Sequence, residues 1–209
     1  MTTPMREKMI AQVAALKEEL RKGDPLKYAA NTGAEFANGV FRIKFYGEPY
    51  LISFPDFDVR REATGQVCGL NRTAMFLYYL KTADGAPLAG KWIAFRDLPG
   101  GMFYHQAYQG YSGDRLAKAI DNRIGVFERA AKNLNGMKLA LGDAAFAFDA
   151  LPRVKVAAVY YAADEDFPAS ANVLFDESAS HYLPTDALAG VGSALVDRLT
   201  GAESKDDTE

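Results

Sequence analysis

The chain has 209 residues, of which 49% are hydrophobic, 12% aromatic and 24% charged, with a formal net charge of −3; this is enough for one domain with a core that removes roughly 70% of the unfolded surface from water, and it excludes the broad basic field that nucleic acid requires. The single cysteine, Cys68, excludes an intramolecular disulfide, a four-cysteine zinc site and a cysteine-ligated iron–sulfur cluster within the chain. No run reaches the ~18 apolar residues of a membrane span, and Met1 to Lys8 lacks the apolar core of a secretory signal, so a cytoplasmic location is expected.

Met9, Val13, Leu16 and Leu20 share one helical face, Thr3-Pro4 marks the start of that helix, and Gly23 and Pro25 stop it. Asp24 then caps a short helix over Pro25 to Ala30. The period changes to two: Val40 to Phe45 and Pro49 to Phe54, joined by Tyr46-Gly47-Glu48, read as a hairpin. Asn71 to Thr82 reads as a buried helix, apolar nearly all round. Lys91 to Arg96 reads as a strand and Pro99-Gly100-Gly101 as a turn.

Leu116, Ile120, Ile124, Phe127, Ala131 and Leu134 form the stripe of a helix capped by Ser112 or Asp114 and closed by Asn135-Gly136; a break near Asn122 is left open. Strands follow at Met137 to Leu141 running on to Phe148, at Val154 to Tyr161, and at Asn172 to Phe175. The second of these is apolar on both faces and is expected to be central. Leu188, Val191, Leu195 and Leu199 mark a last helix after Pro184-Thr185. The expected organisation is an N-terminal helix over 1–23, a single α+β domain over 24–201 with a mixed, mainly antiparallel sheet packed against several helices, and a disordered acidic tail over 202–209. The longest expected loops are 54–70, 99–113 and 175–185, where function concentrates.

Phosphate-loop, dinucleotide, nucleophile-elbow and His-Glu-x-x-His patterns are absent, and there are only two histidines. Two constellations remain. In the first, a strand end carries Arg96, the Gly100-Gly101 turn follows, and Tyr104, Tyr108 and Tyr111 surround His105. Arg96 would grip a carboxylate or phosphate, the glycines would let backbone N–H groups approach a ligand, and the tyrosines would stack on a flat ring. The same residues also read as a tight turn before a core-anchoring aromatic cluster, with Arg96 paired to an acid. The second gathers Asp176, Ser178, Ser180, His181 and Tyr182 before Pro184-Thr185-Asp186. It reads as a helix cap, as a ligand or single-metal site using His181 and Asp176, or as a nucleophile–base–acid set. Asp164-Glu165-Asp166 reads as a solvated turn, and Cys68 as a small buried hydrophobe.

Three ordered blocks carry a resemblance. Trp92 to Gly101 with Phe103-Tyr104, Gly142 to Phe146 with Leu151-Pro152-Arg153, and Phe167 to Asp176 closing with Ser180 to Thr185 resemble the domain of unknown function 3786, a family without an established activity. The resemblance spans roughly 24 to 200. It implies an anaerobic bacterial or archaeal context, in which some relatives join this domain to a four-cysteine iron–sulfur module similar to one in corrinoid iron–sulfur proteins. With Cys68 alone, this chain would have lost that electron transfer or would borrow it from an iron–sulfur or corrinoid partner.

The expected function is therefore that of an accessory protein binding a small molecule or cofactor between the 96–111 and 176–186 segments. A corrinoid or other tetrapyrrole-like cofactor is the specific version, with one histidine as lower axial ligand. No nucleic-acid or membrane partner is expected. The alternatives are a hydrolase or transferase using His105 or His181 with carboxylates, and a protein-binding adaptor with an exposed apolar patch.

Overall fold

A computed structural model describes residues 3–202; the expected acidic tail falls almost wholly outside them. Helix α1 (Thr3–Leu20) buries Val13, Leu16 and Leu20 and packs on α3 (Leu70–Thr82). Between them, α2 (Pro25–Thr32) begins where the Asp24 carboxylate accepts the Leu26 N–H at 2.9 Å, and ends at Gly33 in the left-handed region. Its buried Thr32 offers its carbonyl to the Tyr79 hydroxyl of α3 at 2.7 Å.

The first sheet is antiparallel, in the order β1 (Glu35–Ala37), β2 (Val40–Phe45), β3 (Glu48–Ser53), β4 (Val59–Arg61). Phe41, Ile43 and Phe45 alternate inward on β2 and meet Tyr50 and Ile52 of β3, as period-two patterning demands. Tyr46-Gly47, both at positive φ, form the two-residue turn that lets the twisted strands pair. The expected loop 54–70 contributes β4.

The second sheet has the order β5-β9-β8-β7-β6 and is antiparallel throughout. Its strands are β5 (Trp92–Ala94), β6 (Met137–Leu139), β7 (Ala144–Leu151), β8 (Val154–Tyr161) and β9 (Ser170–Asp176). β8 is central and almost wholly buried, as its two apolar faces require. The expected run from 137 to 148 is a hairpin, β6 and β7, because Gly142 at φ 53 reverses the chain. The expected strand 91–96 is shorter, since Phe95–Asp97 turn into a 3-10 helix.

Helices α4 (His105–Tyr111), α5 (Gly113–Ile120), α6 (Ile124–Asn133) and α7 (Thr185–Thr200) complete the fold. The long stripe from Leu116 to Leu134 does break: Asp121 and Asn122 are left-handed, and the Asn122 amide oxygen accepts the Ala163 N–H at 2.8 Å. Residues 99–113 are not an open loop, because they fold into a second 3-10 turn (Gly101–Phe103) and α4. Tyr46 joins the two sheets and α7. Its N–H donates to the Ala150 carbonyl of β7 at 2.9 Å and its hydroxyl to the Val191 carbonyl of α7 at 2.9 Å. No helix among the described residues is long and apolar enough to cross a membrane.

Candidate functional site

The Gly100-Gly101 turn is built for packing. Gly100 sits at φ 74, and a Cβ on Gly101 would lie 1.9 Å from the Phe95 carbonyl oxygen. The close approach these glycines permit is therefore between two stretches of backbone. Beyond the turn, Tyr108 is buried and stacks on Phe95 with ring centroids 4.1 Å apart. Burial pushes its hydroxyl well above the ordinary tyrosine value, so it stays protonated. Arg96 stands at the surface, 3.9 Å from the Asp97 carboxylate. His105 turns its Nδ1 to the Met102 carbonyl at 2.7 Å and lines a hollow with Arg96, Tyr108 and Asn172. The tip of the turn, Met102, Phe103 and Tyr104, is exposed.

Asp176 and Ser178 are occupied in holding the chain. The Asp176 carboxylate accepts the N–H groups of Ala89 at 2.9 Å, Gly90 at 2.8 Å and Ser178 at 3.0 Å, together with the Ser178 hydroxyl at 2.6 Å. Burial alone would raise its pKa; the Ser178 hydroxyl and these N–H donors outweigh it, and the group lies below the usual carboxylate range. Ser178, committed to this carboxylate and buried, is not paired with a histidine. Ser180 and His181 line a different cleft, beside β5. His181 points its Nδ1 at Asp84 Oδ2, 2.6 Å away, and Tyr182 is buried with its hydroxyl on the Ala86 carbonyl. The two histidines thus stand in separate depressions.

The two segments nevertheless meet elsewhere. The Thr185 hydroxyl donates to the Pro99 carbonyl at 2.7 Å, and Tyr104, Tyr111 and Asp186 line one cavity of about 550 Å³ along α7. That cavity shares Asn71, Asp186 and Gly190 with a second, of about 220 Å³, walled by α1 and α3. Together they form a groove whose far wall holds Gln12, Arg72, Met75 and Tyr78. Gln12 donates its side-chain N–H to the Tyr78 hydroxyl. A Cβ added to Gly190 would meet no atom within 4 Å, so the groove floor is open there.

Arg72 is the charged element of this wall. It is 2% exposed, its Cζ lies 4.2 Å from the Phe45 ring centre, and its Nη1 is 3.8 Å from the Met75 sulfur. Arg198 of α7 approaches the same ring at 5.0 Å. Burial, and then Arg72, hold the Arg198 guanidinium below its ordinary pKa. Behind this pair, Glu48 receives the Tyr50 hydroxyl at 2.9 Å and the Arg61 guanidinium. Gln12, Asn71, Arg72, Tyr78 and Gly190 were not among the residues singled out from sequence. The one available signal was Arg72 itself, a charge inside a helix otherwise apolar nearly all round.

Two antiparallel sheets flanked by helices, with a groove walled by α1, α3, α4 and α7, define an α+β protein. The chain belongs to the family described as domain of unknown function (DUF3786), whose model matches residues 24–198. No curated protein and no solved structure matches it.

Proposed function

We propose that this protein binds a small organic anion in the groove between α3 and α7 and acts as a ligand-binding accessory protein. The observation that carries the reading is the buried Arg72 in a groove lined also by Met9, Ala74, Met75 and the polar side chains of Gln12, Asn71 and Tyr78, with Asp186 on the α7 side. A few converging polar groups in an apolar concavity are the usual composition of a ligand site. The tyrosines Tyr78, Tyr104 and Tyr111 suit a flat ring, and Arg72 suits its carboxylate or phosphate. A corrinoid, which the family resemblance brings in, would use a histidine as axial ligand, and His105 and His181 both lie outside this groove. The ligand proposed is therefore smaller and not imidazole-ligated.

Native mass spectrometry tests this. Wild-type protein incubated with benzoate, 4-hydroxybenzoate and indole-3-acetate is expected to retain at least one of them. Gly190→Leu projects a side chain from the open floor into the groove, so it should lose the ligand without a fall in melting temperature. Equal retention by the two proteins, or none by the wild type, overturns the reading.

A further inference from the structure

The cleft beside β5 holds a second chemistry, separate from the groove. The Asp84 carboxylate is anchored on both oxygens: Oδ1 accepts the Ala86 N–H at 2.9 Å, and Oδ2 lies 2.6 Å from His181 Nδ1. The Tyr182 hydroxyl on the Ala86 carbonyl ties the same loop to the same segment. A loop and a 3-10 turn some 97 residues apart in sequence are thus locked with an imidazole between them. Asp84 stands at one edge of the ring, and His181 lines a cleft of about 600 Å³. Nε2 of His181 has no hydrogen-bond partner among the described residues. A carboxylate on Nδ1 fixes the tautomer that leaves Nε2 as the basic nitrogen, the arrangement that general-base histidines share. The hydrogen bond from His181 is also the main reason why Asp84 stays below the usual carboxylate range, and hence ionised.

We propose that His181, oriented by Asp84, is a general acid–base centre for hydrolysis of uncharged esters. Nε2 takes a proton from water as the water oxygen forms a bond to the ester carbonyl carbon. The tetrahedral intermediate then collapses with loss of the alkoxide, which receives that proton back from the imidazolium. The products are a carboxylic acid and an alcohol, with no oxidant or cofactor consumed. Water is the nucleophile, because Ser178 is held by Asp176. Ser180, which lines the cleft, offers its hydroxyl to the carbonyl oxygen, and Trp92, Ile93 and Pro99 supply an apolar wall for the acyl group.

The charges select against anions. Lys91 is paired with Glu177 at 2.6 Å, and Arg96 lies 3.9 Å from Asp97. With Asp84 behind the ring, acids outnumber bases around the cleft, which repels phosphate and carboxylate substrates.

The test is hydrolysis of 4-nitrophenyl acetate by the full chain. His181→Ala is expected to lower kcat/KM about 100-fold. Asp84→Asn keeps a partner on Nδ1 but removes the charge; it should lower kcat about tenfold with KM unchanged, which a merely structural role would not produce. His105→Ala removes the other imidazole of the chain and should leave the rate unchanged. Should His181→Ala fail to fold, His181→Gln replaces it and is held to the same loss. A wild-type rate no higher than that of the His181 variant, or a loss shared equally by His105→Ala, overturns the proposal. Gly190→Leu should retain full hydrolysis, so failure of the groove reading and failure of this one are distinguishable.

Discussion

Thr185 donates its hydroxyl to the carbonyl of Pro99 across 2.7 Å and 86 residues of sequence. The bond joins the start of α7 to the Gly-Gly turn, and so sets Asp186 on one side of the groove against Tyr104 and Tyr111 on the other. Thr185→Val keeps the shape of the side chain and removes the donor. One largely exposed hydrogen bond is worth about 1 kcal/mol at most, so thermal denaturation should show a fall in Tm of no more than about 4 °C. A larger fall would mean that the turn depends on this bond for folding and not only for placement.

Asp176 carries a heavier structural load. In Asp176→Asn an amide NH2 replaces one carboxylate oxygen and faces an N–H donor of the 89–90 segment or of Ser178. The expected cost is about 2–4 kcal/mol, read from urea denaturation at neutral pH. The pH dependence has a definite sign. The folded pKa is depressed, so the unfolded state binds the proton more readily. The stabilisation is complete above the unfolded value of about 3.9 and is lost as pH falls through the lower folded value. The gap between wild type and variant should therefore narrow below about pH 4. A gap that widens in acid would contradict this account of the carboxylate.

Two glycines should respond in opposite directions to the same change. Gly101→Ala drives a Cβ to 1.9 Å from a backbone oxygen and must shift the turn; a loss above about 2 kcal/mol is expected. Gly190 lies inside α7 with open space where a Cβ would sit. Gly190→Ala should raise stability by about 0.5–1 kcal/mol through helix propensity. Chemical denaturation of the pair measures both. Destabilisation by Gly190→Ala would show that the groove floor is more crowded than the structure has it.

The regular parts of this fold were legible for local reasons. Phe41, Ile43 and Phe45 alternate around a Tyr-Gly turn, and Val154 to Tyr161 is apolar on both faces; each pattern has one structural solution. The break at Asp121-Asn122 was undecidable from sequence, because Leu116, Ile120, Ile124 and Phe127 keep helical spacing straight through it. The 99–113 stretch looked like a loop because its glycines and aromatics follow no single period, yet it holds α4. The groove was less legible still. Gln12, Arg72, Asp186 and Gly190 come from three helices far apart in sequence, and no local spacing announces their convergence. Residues that looked chemical in sequence, Gly100-Gly101 and Asp176-Ser178, spend their chemistry on backbone geometry.

An organic anion is expected to seat between α3 and α7 with its charge toward Arg72. Titration of 15N-labelled protein with benzoate, followed by amide chemical shifts, tests it most directly. Saturable shifts grouped at Asn71, Tyr111 and Gly190, absent with Gly190→Leu and weakened about tenfold or more with benzamide in place of benzoate, are the predicted result. Shifts confined to Ser180 and His181, or none that saturate, would contradict it.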